Sequence, residues 1–118
     1  MTDDQSIRDI ALDYIEGWYT GDGTRMNRAL SPHLAKRRIV SQDEIWHVDK
    51  AWMVQATADG NGEIEEPLAG KKSITILDQT VTMASVKIVS EKFIDYLHLS
   101  NASGKWEIVN ALWDYIKE

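Results

Sequence analysis

Apolar residues recur at Ile7, Ile10, Ala11, Tyr14, Ile15 and Trp18. That spacing predicts an amphipathic helix from about Asp4 to Tyr19. Asp3 and Asp4 suit its start by capping and by the helix dipole, and Gly21 suits a left-handed stop. Asp22 or Thr24 then caps a shorter helix carrying Met26, Ala29 and Leu30, which Pro32 ends or bends. A short strand is predicted through Arg38, Ile39 and Val40, and another, less distinct, over Ile45 to Val48. Asp49 is placed to cap a third helix through Trp52, Met53 and Ala56. Asp59-Gly-Asn-Gly62 is a turn, and the acidic stretch to Gly70, which contains Pro67, reads as loop.

The last third changes period. Strands are predicted over Lys72 to Leu77 and Thr80 to Val89, followed by two apolar runs, Phe93 to Ser100 and Lys105 to Trp113, around Asn101-Ala-Ser-Gly104. Two such runs around a Gly-containing loop read as an antiparallel hairpin. Pairing Ser100 with Lys105 sets Leu99 against Trp106, Leu97 against Ile108, Asp95 against Asn110 and Phe93 against Leu112. These residues then share one face, and Tyr96, His98, Glu107, Val109, Ala111 and Trp113 share the other. A slip of one residue would exchange the two faces. Helices first and an antiparallel sheet afterwards predict an α+β fold with the helices on one face. No repeat or linker divides the chain, so residues 1–118 are expected to form a single domain.

Composition narrows the function. A net charge of −6 argues against general nucleic-acid binding, which needs a basic surface. The absence of cysteine excludes disulfides and thiolate metal sites. His33, His47 and His98 are scattered, so no metal site is expected. No serine sits in a nucleophile elbow and no glycine loop is built for phosphate, so no cofactor is expected either. No apolar run is long enough to span a membrane, and Met1-Thr-Asp-Asp lacks the basic start of a signal peptide, so the expected location is cytoplasmic. Five tryptophans in 118 residues is a high count, and it points to a core, an interface or a stacking surface.

The order of elements then resembles the nuclear transport factor 2-like superfamily, and most closely the small bacterial proteins named putative lumazine-binding. Gly17-Trp-Tyr19, Gly21-Asp22, Arg25-Met26, His33-Leu-Ala-Lys-Arg37, Asp95-Tyr-Leu-His-Leu99 and Gly104-Lys-Trp106 carry the resemblance, which covers nearly the whole chain. It implies a cystatin-like cone: a curved antiparallel sheet wrapped around the N-terminal helices, with a pocket at the open end. Homodimers through the outer sheet face are common in that superfamily. Its members include ketosteroid isomerase, polyketide cyclases, dehydratases and pure binding domains, so fold does not settle function.

Asp95 is the chief chemical candidate, because a carboxyl group on an apolar face is either structurally paired or poised as an acid or base. Tyr14, on the buried stripe of the first helix, is the second. Its spacing to Gly21-Asp22 resembles that of the oxyanion-hole tyrosine of ketosteroid isomerase. Where that enzyme places its general base, this chain has Lys36-Arg-Arg38, which disfavours the same chemistry. That basic run reads as a solvated charged loop or, through Arg38, as an attractor for an anionic group. Trp18, His33, Leu97, Trp106, Ile108 and Asn110 complete the candidate binding set. The first expectation is a domain holding a small apolar or aromatic molecule. An acid–base enzyme using Asp95 and Tyr14 is the alternative, and a dimeric interaction module with a vestigial pocket is another. The outer face, with Tyr96, Val109, Ala111 and Trp113, is expected to carry the homodimer.

Overall fold

The computed structural model describes residues 3–117. Helix α1 spans Asp4–Thr20, α2 Gly23–Ala29 and α3 Lys50–Ala58. The strands are β1 Leu30–Ser41, β2 Glu44–Val48, β3 Lys72–Gln79, β4 Met83–Ser90, β5 Phe93–Ser100 and β6 Glu107–Tyr115. The caps predicted for α2 and α3 form as their chemistry dictates. Asp22 Oδ1 accepts from the Arg25 amide at 3.1 Å, and Asp49 Oδ1 from the Trp52 amide at 2.9 Å. Gly21 closes α1 at φ 69°, in the left-handed region. Asp3 occupies the N-cap of α1 without a side-chain bond, so the acidic start acts there through the dipole alone.

Six strands form one curved, open sheet in the order β2-β1-β6-β5-β4-β3. Every neighbouring pair is antiparallel except β1 and β6, which run parallel. The chain leaves α2 directly into β1, a strand of 12 residues that lies parallel to β6, where the sequence predicts only a short strand around Arg38. Pro32 sits inside that strand, near its start, rather than ending a helix. Helices α1, α2 and α3 lie against the sheet, α1 over β3 and β4, α2 over β6, and α3 over β1. Ile7, Ala11 and Ile15 of α1 meet Val86, Ile88, Leu97, Leu99 and Ile108 in a continuous apolar core.

The hairpin register differs from the sequence expectation, and the difference reorganises the site. Ser100 pairs with Glu107 rather than Lys105, and Leu99 with Ile108 rather than Trp106. That shift of two residues leaves the faces unchanged. Between Ile108 and Asn110, Val109 is an extra residue, a β-bulge, so His98 pairs with Asn110 and Leu97 with Ala111. Beyond the bulge the faces exchange. Asp95 lies opposite Trp113, not Asn110, and Asn110 is exposed on the outer face, 3.3 Å from His98 Nδ1. Ala111 is buried and Trp113 turns inward, so neither belongs to the outer surface. The exposed apolar side chains there include the cross-strand pair Tyr96 and Leu112, 47% and 53% exposed, beside Lys87 and Arg37, and the pair Ile39 and Ile45, 50% and 55% exposed, at the β1–β2 edge.

Candidate functional site

The open end of the sheet and two helices enclose a cavity of about 450 Å³. Helix α1 contributes Tyr14 and Ile15 and, one turn further on, Trp18, all on the stripe that faces the sheet. Strand β1 contributes Lys36, and β2 contributes Trp46 and Val48. Helix α3 adds Trp52 and Met53, and the turn after it adds Asn61. Phe93 and Asp95 come from β5, and Trp113 and Tyr115 from β6 beyond the bulge. Seven of these thirteen residues are aromatic, and four of the five tryptophans are among them.

The cavity has a polar floor and an aromatic wall. At the floor, Tyr14 and Asp95 are each 3% exposed, and the Tyr14 hydroxyl donates to Asp95 Oδ1 at 3.0 Å. Lys36 Nζ donates to the same hydroxyl and stands 3.9 Å from Asp95 Oδ1. The three groups therefore form a chain in which an ammonium, a hydroxyl and a carboxylate lie in order. Burial pushes the Asp95 carboxyl above the usual carboxylate range, against the opposing charge of Lys36 and the hydrogen bond from Tyr14. Burial, reinforced by the Asp95 charge and hydrogen bond, pushes the Tyr14 hydroxyl well above its ordinary value. Burial also pulls the Lys36 ammonium down, although Asp95 holds it up. Desolvation thus leads for all three groups, which is how a water-poor cavity disfavours charge.

The wall is a contiguous ring cluster. Trp113 meets Phe93 edge-on at 5.2 Å, Tyr115 at 5.4 Å and Trp46 at 6.1 Å between centroids. Arg38 braces it from behind. Its guanidinium lies 4.8 Å from the Trp46 ring and 4.7 Å from Tyr115, and its Nε donates to Asp114 at 2.8 Å. The hydrogen bond from Arg38 holds the Asp114 carboxyl down to about 2. Trp46, Trp52 and Tyr115 remain 41%, 50% and 41% exposed, so the rings become wetter from floor to mouth. On the opposite side, the turn Asp59–Gly62 presses on the Trp18 indole. A Cβ at Gly62 would fall 2.2 Å from that ring.

Of the residues singled out in the sequence, Tyr14, Asp95 and Trp18 line the cavity together. Arg38 lies at its mouth as a brace. Leu97, Trp106 and Ile108 are buried in the core behind the floor, and they do not line the cavity. His33 is exposed on β1 near α2, and Asn110 is exposed on the outer face. Lys36, Trp46, Trp52, Phe93, Trp113 and Tyr115, with Ile15, Val48, Met53 and Asn61, complete the site and were not among the predicted residues. Two signals exist in the chain, one for Lys36 and one for Trp113 and Tyr115. Leu34, Lys36 and Arg38 fall two apart and share one face of β1, with Arg37 exposed between the last two, as a strand requires. The apolar positions change parity from Trp106 and Ile108 to Ala111, Trp113 and Tyr115, as a bulge requires. Among the described residues, no three His, Asp or Glu side chains converge as ligands for a metal. No helix among them is long and apolar enough to cross a membrane.

Helices packed against a curved, open six-stranded sheet with a cavity at one end define a nuclear transport factor 2-like domain. Within that superfamily the chain belongs to the family described as "Putative lumazine-binding", which it matches over residues 2–114. Several solved structures share the fold. An NTF-2 like protein of unknown function from Silicibacter pomeroyi superposes with a TM-score of 0.81 at 15% identity, covering 98% of this chain and 100% of that one. An NTF2-like protein of unknown function from Methylobacillus flagellatus gives 0.78 at 22% identity, covering 98% and 93%. A ketosteroid isomerase-like protein from Erwinia carotovora atroseptica gives 0.71 at 10% identity, covering 98% of each chain. Comparison with curated proteins returns no match.

Proposed function

We propose that the protein binds a small, flat aromatic or apolar molecule in this cavity, with its rings against the Trp46–Trp113–Phe93–Tyr115 wall and a polar edge on the Tyr14–Asp95–Lys36 floor. One observation carries the reading: four tryptophans from four separate elements converge on one cavity while remaining partly exposed. Large rings left wet in this way gain by covering, at about 25 cal/mol per Å² of apolar surface removed from water. A volume of about 450 Å³ lies in the usual range for small-molecule sites. The family description names lumazine, a flat bicyclic heteroaromatic, and a molecule of that shape fits this chemistry.

The test is a titration of tryptophan fluorescence with lumazine, riboflavin and naphthol. Saturable quenching by at least one of them is expected. In Gly62→Ala the new methyl group displaces Trp18, so affinity is expected to fall about tenfold, the scale of an overpacking strain of 1–3 kcal/mol. Linear quenching without saturation by all three compounds contradicts the reading.

An acid–base enzyme is the second reading, and the 3.0 Å Tyr14–Asp95 hydrogen bond at the cavity floor favours it. Lys36 stands beside that pair and would be a cation at the reacting end, so the chemistry would differ from abstraction by a lone aspartate. A homodimer through the outer sheet face is also proposed, on the smaller apolar surface around Tyr96 and Leu112. Light scattering at micromolar concentration should return a dimer mass, and a monomer mass that persists on concentration contradicts it.

A further inference from the structure

We propose that Lys36 is a carbonyl-reactive amine, and that the cavity takes aromatic or apolar aldehydes and ketones which condense with Nζ to form a Schiff base. The proposal rests on the ligand-binding reading above and gives that site a chemical function. Its basis is the placement of Lys36. Most lysines extend from a protein surface, but this side chain is only 12% exposed, and it lines the cavity. Its Nζ lies 5.6 Å from the Trp113 ring centroid and 4.8 Å from that of Tyr14, and it donates to the Tyr14 hydroxyl. A ligand seated against the aromatic wall with its polar end down therefore presents that end to Nζ.

The floor also supplies the proton handling that condensation needs. The Tyr14 hydroxyl accepts from Lys36 Nζ and donates to Asp95 Oδ1. The hydroxyl can pass its proton to the Asp95 carboxylate while taking one from the ammonium, which leaves a neutral amine and a neutral acid. Burial shifts both groups toward those neutral forms. The amine lone pair attacks the carbonyl carbon, the carbonyl π pair moves to oxygen, and a proton passes from nitrogen to that oxygen. The resulting carbinolamine then loses its hydroxyl as water, protonated by Asp95 through Tyr14, as the nitrogen lone pair closes the C=N bond. One carbonyl and one ammonium have become one protonated imine and one water, and Asp95 is again a carboxylate facing a cation. A desolvated lysine in an apolar pocket is the usual setting for such an amine.

Naphthaldehyde with sodium cyanoborohydride tests this directly on the whole protein at neutral pH. The reductant delivers hydride to the imine carbon and fixes it as a secondary amine, so intact mass rises by the aldehyde less one oxygen. The expected result is one adduct, mapped by peptide sequencing to Lys36. It should form at least about tenfold faster than at any other lysine, since among the described residues this lysine alone lines the cavity and is paired with an acid–base relay. Tyr14→Phe breaks the relay and is expected to slow labelling at Lys36 about tenfold or more, while labelling at Lys50 and Lys117 is unchanged. Lys36→Arg should remove the adduct. Naphthalenemethanol, which has the same rings and no carbonyl, serves as the binding control. If it quenches tryptophan fluorescence saturably and the aldehyde labels lysines indiscriminately, the Schiff-base proposal is overturned and the cavity reading survives. If neither compound binds and Lys36 is not labelled selectively, both are overturned.

Discussion

Asp95→Asn should cost about 3–5 kcal/mol of stability at neutral pH, the usual effect of removing one partner from a buried ion pair. The substitution keeps the shape and the hydrogen bond from Tyr14, but it leaves the Lys36 ammonium buried without a counter-charge. The sign of the pH dependence follows. In the variant, the folded state binds the Lys36 proton more weakly than the unfolded chain does. Stability then rises with pH wherever the unfolded state carries more protons, up to the ordinary lysine value of about 10.4. The deficit should therefore shrink as pH rises from neutral toward that value. Adding Lys36→Met removes the orphaned charge, and the double variant should recover most of the loss, because no buried charge is then left unpaired. Urea denaturation of the four proteins in the cycle checks this. A single-variant loss below about 1 kcal/mol at neutral pH would mean that Lys36 and Asp95 do not face each other as a pair.

The second large effect lies outside the cavity. Trp106 is 6% exposed and packs in the core with Leu99 and Ile108, although it precedes β6 rather than belonging to it. Trp106→Ala should cost about 3–5 kcal/mol in chemical denaturation, as large-to-small substitutions of buried aromatic residues do. The same change should leave the affinity of a cavity ligand unaltered in protein that remains folded, because Trp106 does not line the cavity. A loss well below 1 kcal/mol would place the residue outside the core. An altered affinity in folded protein would place it in the site.

The contrast between these two residues shows what the sequence makes legible. Asp95 stands out because β5 alternates without interruption from Phe93 to Leu99, so a carboxylate among inward positions is visible in the chain itself. Helix α1 is equally plain, because its stripe and its Gly21 stop are local signals. Strand β6 is not, because the Val109 bulge moves one residue out of register and changes which side of the sheet every later side chain occupies. Asn110 exchanges places with Trp113 for that reason alone. Lys36 is concealed differently. In Lys36-Arg-Arg38 the middle residue is exposed and the outer two turn inward, one to the cavity floor and one behind the aromatic wall. Consecutive charges suggest a solvated loop, whereas the strand period separates them. Trp46 and Trp52 carry no site signal in their own segments. They meet Trp18 and Trp113 only after β2 folds back along β1 and α3 crosses that strand.

The tryptophans themselves give the most direct measurement. Each of the five indole N–H groups yields one resonance in a nitrogen–proton correlation spectrum of labelled protein, assignable by single Trp→Phe substitutions. On addition of a saturating flat aromatic compound such as lumazine or naphthol, the resonances of Trp18, Trp46, Trp52 and Trp113 should move together along one binding curve, and that of Trp106 should stay in place. Five stationary resonances for every compound, or a shift confined to Trp106, would contradict a ligand-binding cavity at the open end of the sheet.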